Sequence, residues 1–479
     1  MKTIFPPFFK IQFFLLLYFP IKIISNLQLS SPYSPYSNTI EYYTINTTSP
    51  LKIGIISDSQ IMSKIEHFWL ETFTYNLKES FEFLKKENVD IIIFAGDLGD
   101  GATELAWSTW RKTFDSIYTK DDKIPILNVV MGNHDYNNNE SPTFLQEQFE
   151  YYIKEKPFSH KVINGIHFIN WGNENKEMDD RSNQNIKWAR EQIEIAIKEN
   201  PNNPIIITTH LNPRNTVYGS DYWGNNNIYN LFKNYPQIIS LSGHSHYSLM
   251  DERSIWQGDF TAIQTQSVSY IGLDFNRENG CIPRDEYNST LIASNTSMGL
   301  IMEIFNDKIE IKRISFVNKK FVGDLWIINL PINKKDFIYT NSIRLKNRVQ
   351  PYFEINSDED KKVEFLYDQF HMIKLKQAYH PVCIYNYKII FKDESNVFSY
   401  LYYSDFYLIP ELRAKKIRLK IPDDLSKGIY NVIIIAIESF GLESSNNLII
   451  PELTYKYFKF AEIKIVSISG AKFLFANAI

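Results

Sequence analysis

Cysteine is almost missing from this chain: two residues in 479, Cys281 and Cys383. So few exclude a scaffold built on disulfides and leave stability to a packed core. The two fall in different predicted domains, and a bridge between them stays open for an oxidising compartment. Basic clusters are missing too. Lys and Arg number 51 against 55 Asp and Glu, with a net charge of −4 and no long basic block, so no nucleic-acid scaffold binding is expected. Past residue 24 no apolar run is long and clean enough to cross a bilayer. The mildly apolar end, Ile463 to Ile479, is broken by Lys464 and Lys472 and reads as an edge strand. No clear internal repeat is present, which sets aside a repeat array.

What is present begins with the first residues. Lys2 and Lys10 precede an apolar run from Ile11 to Ile24 that ends near Ser25-Asn26. This reads as a secretory signal peptide, residues 1–25, with a signal-anchor as the alternative. Pro20 and Lys22 interrupt the run and argue against a spanning helix. After cleavage no stable transmembrane span is expected. The destination is then secreted, cell-surface or endolysosomal. Glycosylation acceptor patterns at Asn46, Asn139, Asn288 and Asn295 agree with export, each weakly.

An apolar content of 44% over this length supports more than one domain. Residues 26–50 are polar and Tyr-rich and read as an N-terminal arm. From Leu51 strands and helices alternate. Lys64 to Asn88, Leu105 to Tyr118, Phe144 to Tyr152 and Ile186 to Lys198 carry apolar residues at helical spacing. Val162 to Trp171 reads as a hairpin turning at Asn164-Gly165. Phe260 to Ile271, Met298 to Phe305, Lys308 to Val317 and Leu325 to Asn329 read as strands, with a tight turn at Asn306-Asp307. This pattern implies one α/β domain of two packed sheets over 51–330. After a 331–351 linker, residues 352–479 show short strands and almost no helix, as in a β-sandwich of fibronectin or immunoglobulin type. That region carries no catalytic constellation and reads as a structural or adhesive module.

Five polar clusters each follow an apolar β-like run: Asp58-Ser59-Gln60, Gly96-Asp97, Gly132-Asn133-His134-Asp135, His210 and Gly243-His244-Ser245-His246. Residues just past strand ends meet at one edge of a sheet, where α/β proteins place their sites. A lone His after a strand is usually an ordinary surface residue, and Asp97 alone could cap a turn. The ordered set of carboxylates, imidazoles and one amide is different, and points to a site for two divalent ions. Asp97 has two oxygens and suits a bridging role. Asn133 offers an amide oxygen, and His134 beside it is free to face substrate. His67, His160, His167, His371 and His380 lie outside the clusters and read as ordinary.

These motifs resemble those of the calcineurin-like metallophosphoesterase superfamily, over Leu51 to Tyr247, with closing strands to about residue 330. The resemblance implies a four-layer α/β fold, two mixed β-sheets flanked by helices. It places Asp58, Gln60, Asp97 and His246 around one divalent ion and Asp97, Asn133, His210 and His244 around the other, the metals being Mn, Zn or Fe. It gives His134, paired with Asp135, the catalytic role of contacting the phosphoryl group or protonating the leaving oxygen. A phosphate ester is the implied substrate. The departure is Gln60, where the common pattern has His; an amide oxygen is a weaker ligand for zinc-like metals. Purple acid phosphatases carry a Tyr shortly after the bridging Asp, whereas Leu98-Gly99-Asp100 stands here, which disfavours that subclass. Asn212, Arg214, Tyr218, Asp221, Tyr222 and Trp223 form a polar, aromatic loop after His210. Arg214 and Tyr222 are its candidate substrate contacts, against the plainer view that they pack the loop. A catalytically weak secreted or surface binding protein on the same scaffold is the alternative.

Overall fold

The Ile-rich runs become strands because helices or a second sheet cover both of their faces, which favours continuous β-branched stretches over alternation. In the computed structural model, Leu51–Ile56 lies between Met298–Ile304, antiparallel, and Ile91–Phe94, parallel. Ile126–Val129 extends this sheet at one edge, and Lys308–Ser315 and Lys320–Asn329 extend it at the other. A second, seven-stranded sheet runs Tyr36–Tyr43, Phe158–Ile163, Ile166–Trp171, Ile205–Thr208, Ile238–Ser242, Thr261–Gln264, Ile255–Gln257. The structure describes residues 33–46, 50–67, 69–178, 181–272, 290–291, 296–357, 360, 363–366, 372–422, 424–455, 465–468 and 471–474.

Side chains from both sheets, including Ile53, Ile93, Phe168, Ile206, Leu241, Leu300 and Trp326, fill the space between them. Helices Trp69–Lys86, Glu104–Ile117 and Pro142–Ile153 cover the first sheet, burying Phe73, Leu77, Phe81, Trp107, Trp110 and Phe149. Helices Asn183–Glu199 and Asn226–Phe232 cover the second. The result is a four-layer α/β/β/α arrangement. Helix starts follow local chemistry: the Thr103, Ser141 and Ser182 hydroxyls each accept from the backbone N–H three residues on, and Pro142 sits where no donor is needed. The hairpin turns at Asn164 and Gly165, both with positive φ (50° and 79°), as a tight primed turn requires.

Three segments depart from the sequence expectations. The polar arm holds a parallel edge strand, Tyr36–Tyr43 against Phe158–Ile163, fixed by Tyr36 stacking on Phe158 with centroids 4.8 Å apart. The expected strand from 260 to 271 stops at Gln264; residues 265–270 leave the sheet and run to the strand-tip edge. The linker is built structure. It contains the helix Asn341–Lys346, Arg344 donates to Ile255 O, and Arg348 donates to Phe440 O.

Beyond it, a four-stranded sheet (Val397–Tyr403, Asn386–Lys392, Gly428–Ile437, Leu448–Tyr455) and a three-stranded sheet (Glu364–Leu366, Met372–Lys376, Lys416–Lys420) enclose one core of Ile373, Leu375, Tyr387, Ile389, Leu419, Val432 and Ile434. Cys383 there is a buried free thiol, while Cys281 lies outside the described residues. The signal-peptide segment, Asn288, Asn295 and His371 also lie outside them; Asn139 is exposed. Among the described residues no helix is long and apolar enough to cross a membrane.

Candidate metal centre

Leu51–Ile56, Ile91–Phe94 and Ile126–Val129 are parallel in one sheet, and Ile205–Thr208 and Ile238–Ser242 are parallel in the other. Their five C-terminal ends bring the predicted clusters to one edge. Hydrogen bonding continues past the strands and locks the loops together: Asp58 N to Gly96 O, Gln60 N to Asp97 O, Val130 N to Phe94 O and Gly243 N to His210 O. Asp58, Gln60, Asp97, His244 and His246 all have left-handed backbone, with φ between 48° and 68°. Each costs about 1 kcal/mol or more for a residue with a Cβ. Asp and His tolerate this region better than most residues. The interlocked loops hold all five there, and the sharp reversals stack the side chains over the sheet edge.

Three glycines leave room for this crowding. A Cβ on Gly132 would stand 2.1 Å from Asp97 Oδ1, one on Gly243 2.3 Å from Asp58 Oδ2, and one on Gly96 2.5 Å from His210 Nδ1.

Ligand atoms of Asp97, His210 and His244 lie within 4.8 Å of one another, as do those of Asp58, Asp97 and His246, so Asp97 is common to two clusters. Asp97 Oδ2 is 3.2 Å from His210 Nε2 and accepts from Gln60 Nε2 at 3.0 Å; its Oδ1 accepts from His134 N at 2.9 Å. Asn133 Oδ1 is 3.0 Å from His210 Nε2, and His244 Nδ1 is 3.2 Å from the same atom. His246 Nε2 lies 3.0 Å from Asp58 Oδ1. All seven predicted ligands therefore meet.

Second partners orient the rings. His210 Nδ1 faces Ala95 O at 2.8 Å, which makes Nδ1 the protonated nitrogen and presents Nε2 to the cluster. His246 Nδ1 faces Tyr270 O at 3.3 Å.

The donor set fits two divalent cations such as Mn, Zn or Fe: carboxylates, imidazoles and amides, converging and mostly buried. Among the described residues the buried His244 Nε2 has no hydrogen-bond partner, an uncommon state for a buried polar atom, while its Nδ1 faces His210 Nε2. Burial disfavours charge on Asp97, yet His210 and His134 outweigh it and hold the carboxyl below the usual carboxylate range. Burial likewise opposes charge on His210, but Asp97 prevails and lifts that imidazole to about 9. Burial, then the charge on His210, pushes His244 far below the ordinary histidine value.

The remaining predicted residues separate. His134 is half-buried beside the cluster, with Nδ1 3.1 Å from Asp100 O. The expected pairing of His134 with Asp135 is replaced by this contact with Asp100. Asp135 points inward and accepts from Gly132 N (2.9 Å), Leu98 N (3.1 Å), Gly99 N (3.3 Å) and the Trp107 indole (3.3 Å). Burial and the Asp97 charge raise its carboxyl to about 6 in spite of those donors. Arg214 is half-buried and donates within its own loop to Asp221 O. Tyr222 is largely exposed and packs edge-on against Trp223; Trp223, not Tyr222, reaches the cluster, 5.5 Å from the His244 ring.

Sequence reasoning missed the 265–270 segment. Ser267 and Ser269 donate to Asp58 O, and the Tyr270 ring lies 4.3 Å from that of His246. The available signal was the same as elsewhere: a buried run, Thr261–Gln264, followed by the polar run Thr-Gln-Ser-Val-Ser-Tyr.

Residues 51–248 match the family model described as calcineurin-like phosphoesterase. Over these residues the chain is similar to that family. No curated protein matches the chain. Solved structures similar to it include a dimetal phosphatase from Danio rerio, with 12% identity and a TM-score of 0.41 over 58% of this chain and 99% of that one. TT1561 of Thermus thermophilus matches with 12% identity and a TM-score of 0.32 over 59% and 99% of the two chains. A purple acid phosphatase from yellow lupin matches with 11% identity and a TM-score of 0.37 over 59% and 54%. Within the matched residues, Leu98 and Gly99 follow Asp97 and give their backbone N–H groups to Asp135.

Proposed function

We propose that the protein hydrolyses phosphate esters, using water activated between two divalent ions held by Asp58, Gln60, Asp97, Asn133, His210, His244 and His246. The observation that carries this reading is one carboxylate, Asp97, shared by two ligand clusters at the edge of the sheets. Bound there, the ions would supply Lewis-acid charge to the phosphoryl oxygens and lower the pKa of water.

The chain's own groups do the rest. Asp97 stays ionised and offers both oxygens. Asn133 adds an uncharged donor on the substrate side. His134 donates Nδ1–H to Asp100 O, which leaves Nε2 for the leaving oxygen. Burial works against protonation of His134, but Asp97 and the Asp100 carbonyl raise its pKa, as suits a general acid. Asp135 holds the two loops in place and does not touch substrate. Trp223 walls the ester's organic portion, with Arg214 at the outer margin.

The apolar segment Ile11 to Ile24 and the acceptor at Asn139 support export, to the cell exterior or an endolysosomal compartment.

Metal content measured together with a panel of aryl phosphate mono- and diesters across pH tests the reading. Turnover is expected to disappear on chelation and return with Mn²⁺ or Zn²⁺, and the panel reports the preferred ester. A protein that holds two ions and hydrolyses nothing overturns it and favours a binding protein on this scaffold.

A further inference from the structure

Two aromatic rings lie on ligand imidazoles, Trp223 on His244 and Tyr270 on His246. Both belong to segments that run directly into the C-terminal sandwich. In the first, Trp223 N donates to Gly219 O at 2.8 Å, and Tyr218 precedes that glycine. The Tyr218 hydroxyl hydrogen-bonds the Tyr385 hydroxyl of the sandwich, and the two rings meet edge-on at 5.6 Å. The Arg253 guanidinium lies 3.5 Å from the Tyr218 ring centre and 4.6 Å from that of Tyr385. Asp251 grips it through Nε–Oδ1 at 3.0 Å and Nη2–Oδ2 at 2.6 Å, and Arg253 O accepts from Tyr218 N at 3.1 Å.

Tyr247, the residue after His246, packs on Tyr218 with centroids 4.8 Å apart. A Cβ on Gly219 would lie 1.8 Å from that Tyr247 ring, so the contact needs glycine, whose φ is +78°. In the second segment Ile271, next to Tyr270, is fully buried in a cluster with Cys383, Tyr385, Tyr403 and Phe406 of the sandwich. Tyr385 is thus common to both routes.

We propose that Tyr385 is a positioning residue for the metal centre: through Tyr218 and Ile271 it fixes the segments that lay Trp223 and Tyr270 on the two ligand imidazoles. The C-terminal domain is then a working part of the site and not an appended module. The proposal rests on the two-metal reading of the centre. Groups that orient ligands from outside the coordination sphere affect affinity by about 10- to 100-fold, which sets the expected size.

The test uses the full-length protein, with Mn²⁺ titrated calorimetrically and an aryl phosphate diester as substrate. Tyr385→Ala is expected to weaken Mn²⁺ binding about tenfold and to raise KM more than it lowers kcat. Tyr385→Phe, which keeps the ring and loses the hydroxyl, recovers most of the affinity. Ile389→Ala, in the sandwich core, lowers the melting temperature and leaves Mn²⁺ affinity at the wild-type value. Tyr218→Leu breaks the same contact from the other side and serves if Tyr385→Ala does not fold. Wild-type Mn²⁺ affinity in the folded Tyr385 or Tyr218 variant overturns the proposal, as does an equal loss in Ile389→Ala. A wild type that binds no Mn²⁺ overturns the metal centre and this inference with it. A wild type that binds Mn²⁺ but hydrolyses nothing overturns the phosphoesterase reading alone, and the affinity comparison still decides Tyr385.

Discussion

Gly132→Ala replaces one hydrogen by a methyl group and is expected to empty the centre. The added carbon would sit 2.1 Å from Asp97 Oδ1, 2.8 Å from Asp97 Cγ and 2.6 Å from Asp97 N. Carbon needs about 3.5 Å from such neighbours, so the carboxylate or its backbone has to move by more than 1 Å. Neither moves freely: Asp97 is buried, left-handed, and bonded to Gln60, His134 and His210. Forced overpacking costs about 1–3 kcal/mol. Because both clusters include Asp97, displacement damages both, and Mn²⁺ affinity is expected to fall at least tenfold, the scale set by misplaced ligand partners. Gly165→Ala is the matched control. Its φ is +79° and the added carbon meets only Asn203 Nδ2, at 4.0 Å, so strain of about 1–2 kcal/mol is the whole effect. Calorimetric Mn²⁺ titration and thermal melting of both variants separate the two costs. Both variants should melt lower, and only Gly132→Ala should lose metal. Two Mn²⁺ ions bound to Gly132→Ala at wild-type affinity would refute the geometry.

Two further outcomes follow from the geometry of His134 and of a buried histidine pair. His134→Ala should keep both ions, since the bond to Asp97 comes from its backbone N–H, and lose about 10²- to 10⁴-fold in kcat; unchanged turnover in steady-state assays excludes the general-acid role. The buried pair His160–His167 should make the fold acid-sensitive. His160 Nδ1 lies 3.0 Å from Gln192 Oε1 and its Nε2 lies 2.9 Å from His167 Nδ1, so a charged His160 would be buried against a second imidazole. Burial lowers the His160 pKa from 6.5 to about 4. The unfolded chain then binds the extra proton first: this stabilisation is complete above about pH 6.5 and is lost as pH falls toward 4, by about 2 kcal/mol at pH 5. Melting temperatures from pH 7.5 to 4.5 measure the slope; a slope unchanged in His160→Gln excludes this pair as its source.

The metal-binding strand tips were legible because each carries its own local signature. A buried apolar run is followed within a few residues by glycine or a ligand residue, and that pattern survives without knowledge of the fold. Asp58, Asp97, Asn133, His210, His244 and His246 all follow it, and Gln60 follows by its spacing from Asp58. Residues 265–270 share the pattern but carry hydroxyls and an aromatic ring instead of ligands, so residue type gave no cue. The edge strand Tyr36–Tyr43 was hidden by its Ser and Asn content; its partner, Phe158–Ile163, is more than 100 residues away, and only tertiary pairing reveals it. The contact of Tyr385 with Tyr218 spans 167 positions between domains and has no periodic trace at either end.

Asp135 shows how far a motif can specify position without specifying role. It sits one residue from His134, and in the sequence the two look like an acid and its orienting carboxylate. In the structure successive residues of this loop face different ways. Gly132 makes space for Asp97, Asn133 turns to His210, His134 gives its backbone N–H to Asp97, and Asp135 turns inward to collect four donors from Leu98, Gly99, Gly132 and Trp107. Four bonds from two loops and a helix are what a buried carboxyl needs if it is to persist at all. They also fix the distance between the Asp97 loop and the Asn133 loop, on which the shared ligand depends. The carboxylate beside the proposed acid therefore supports the ligand cluster through the backbone, and the imidazole's own partner is a carbonyl oxygen, that of Asp100, which the sequence pattern had no means of marking.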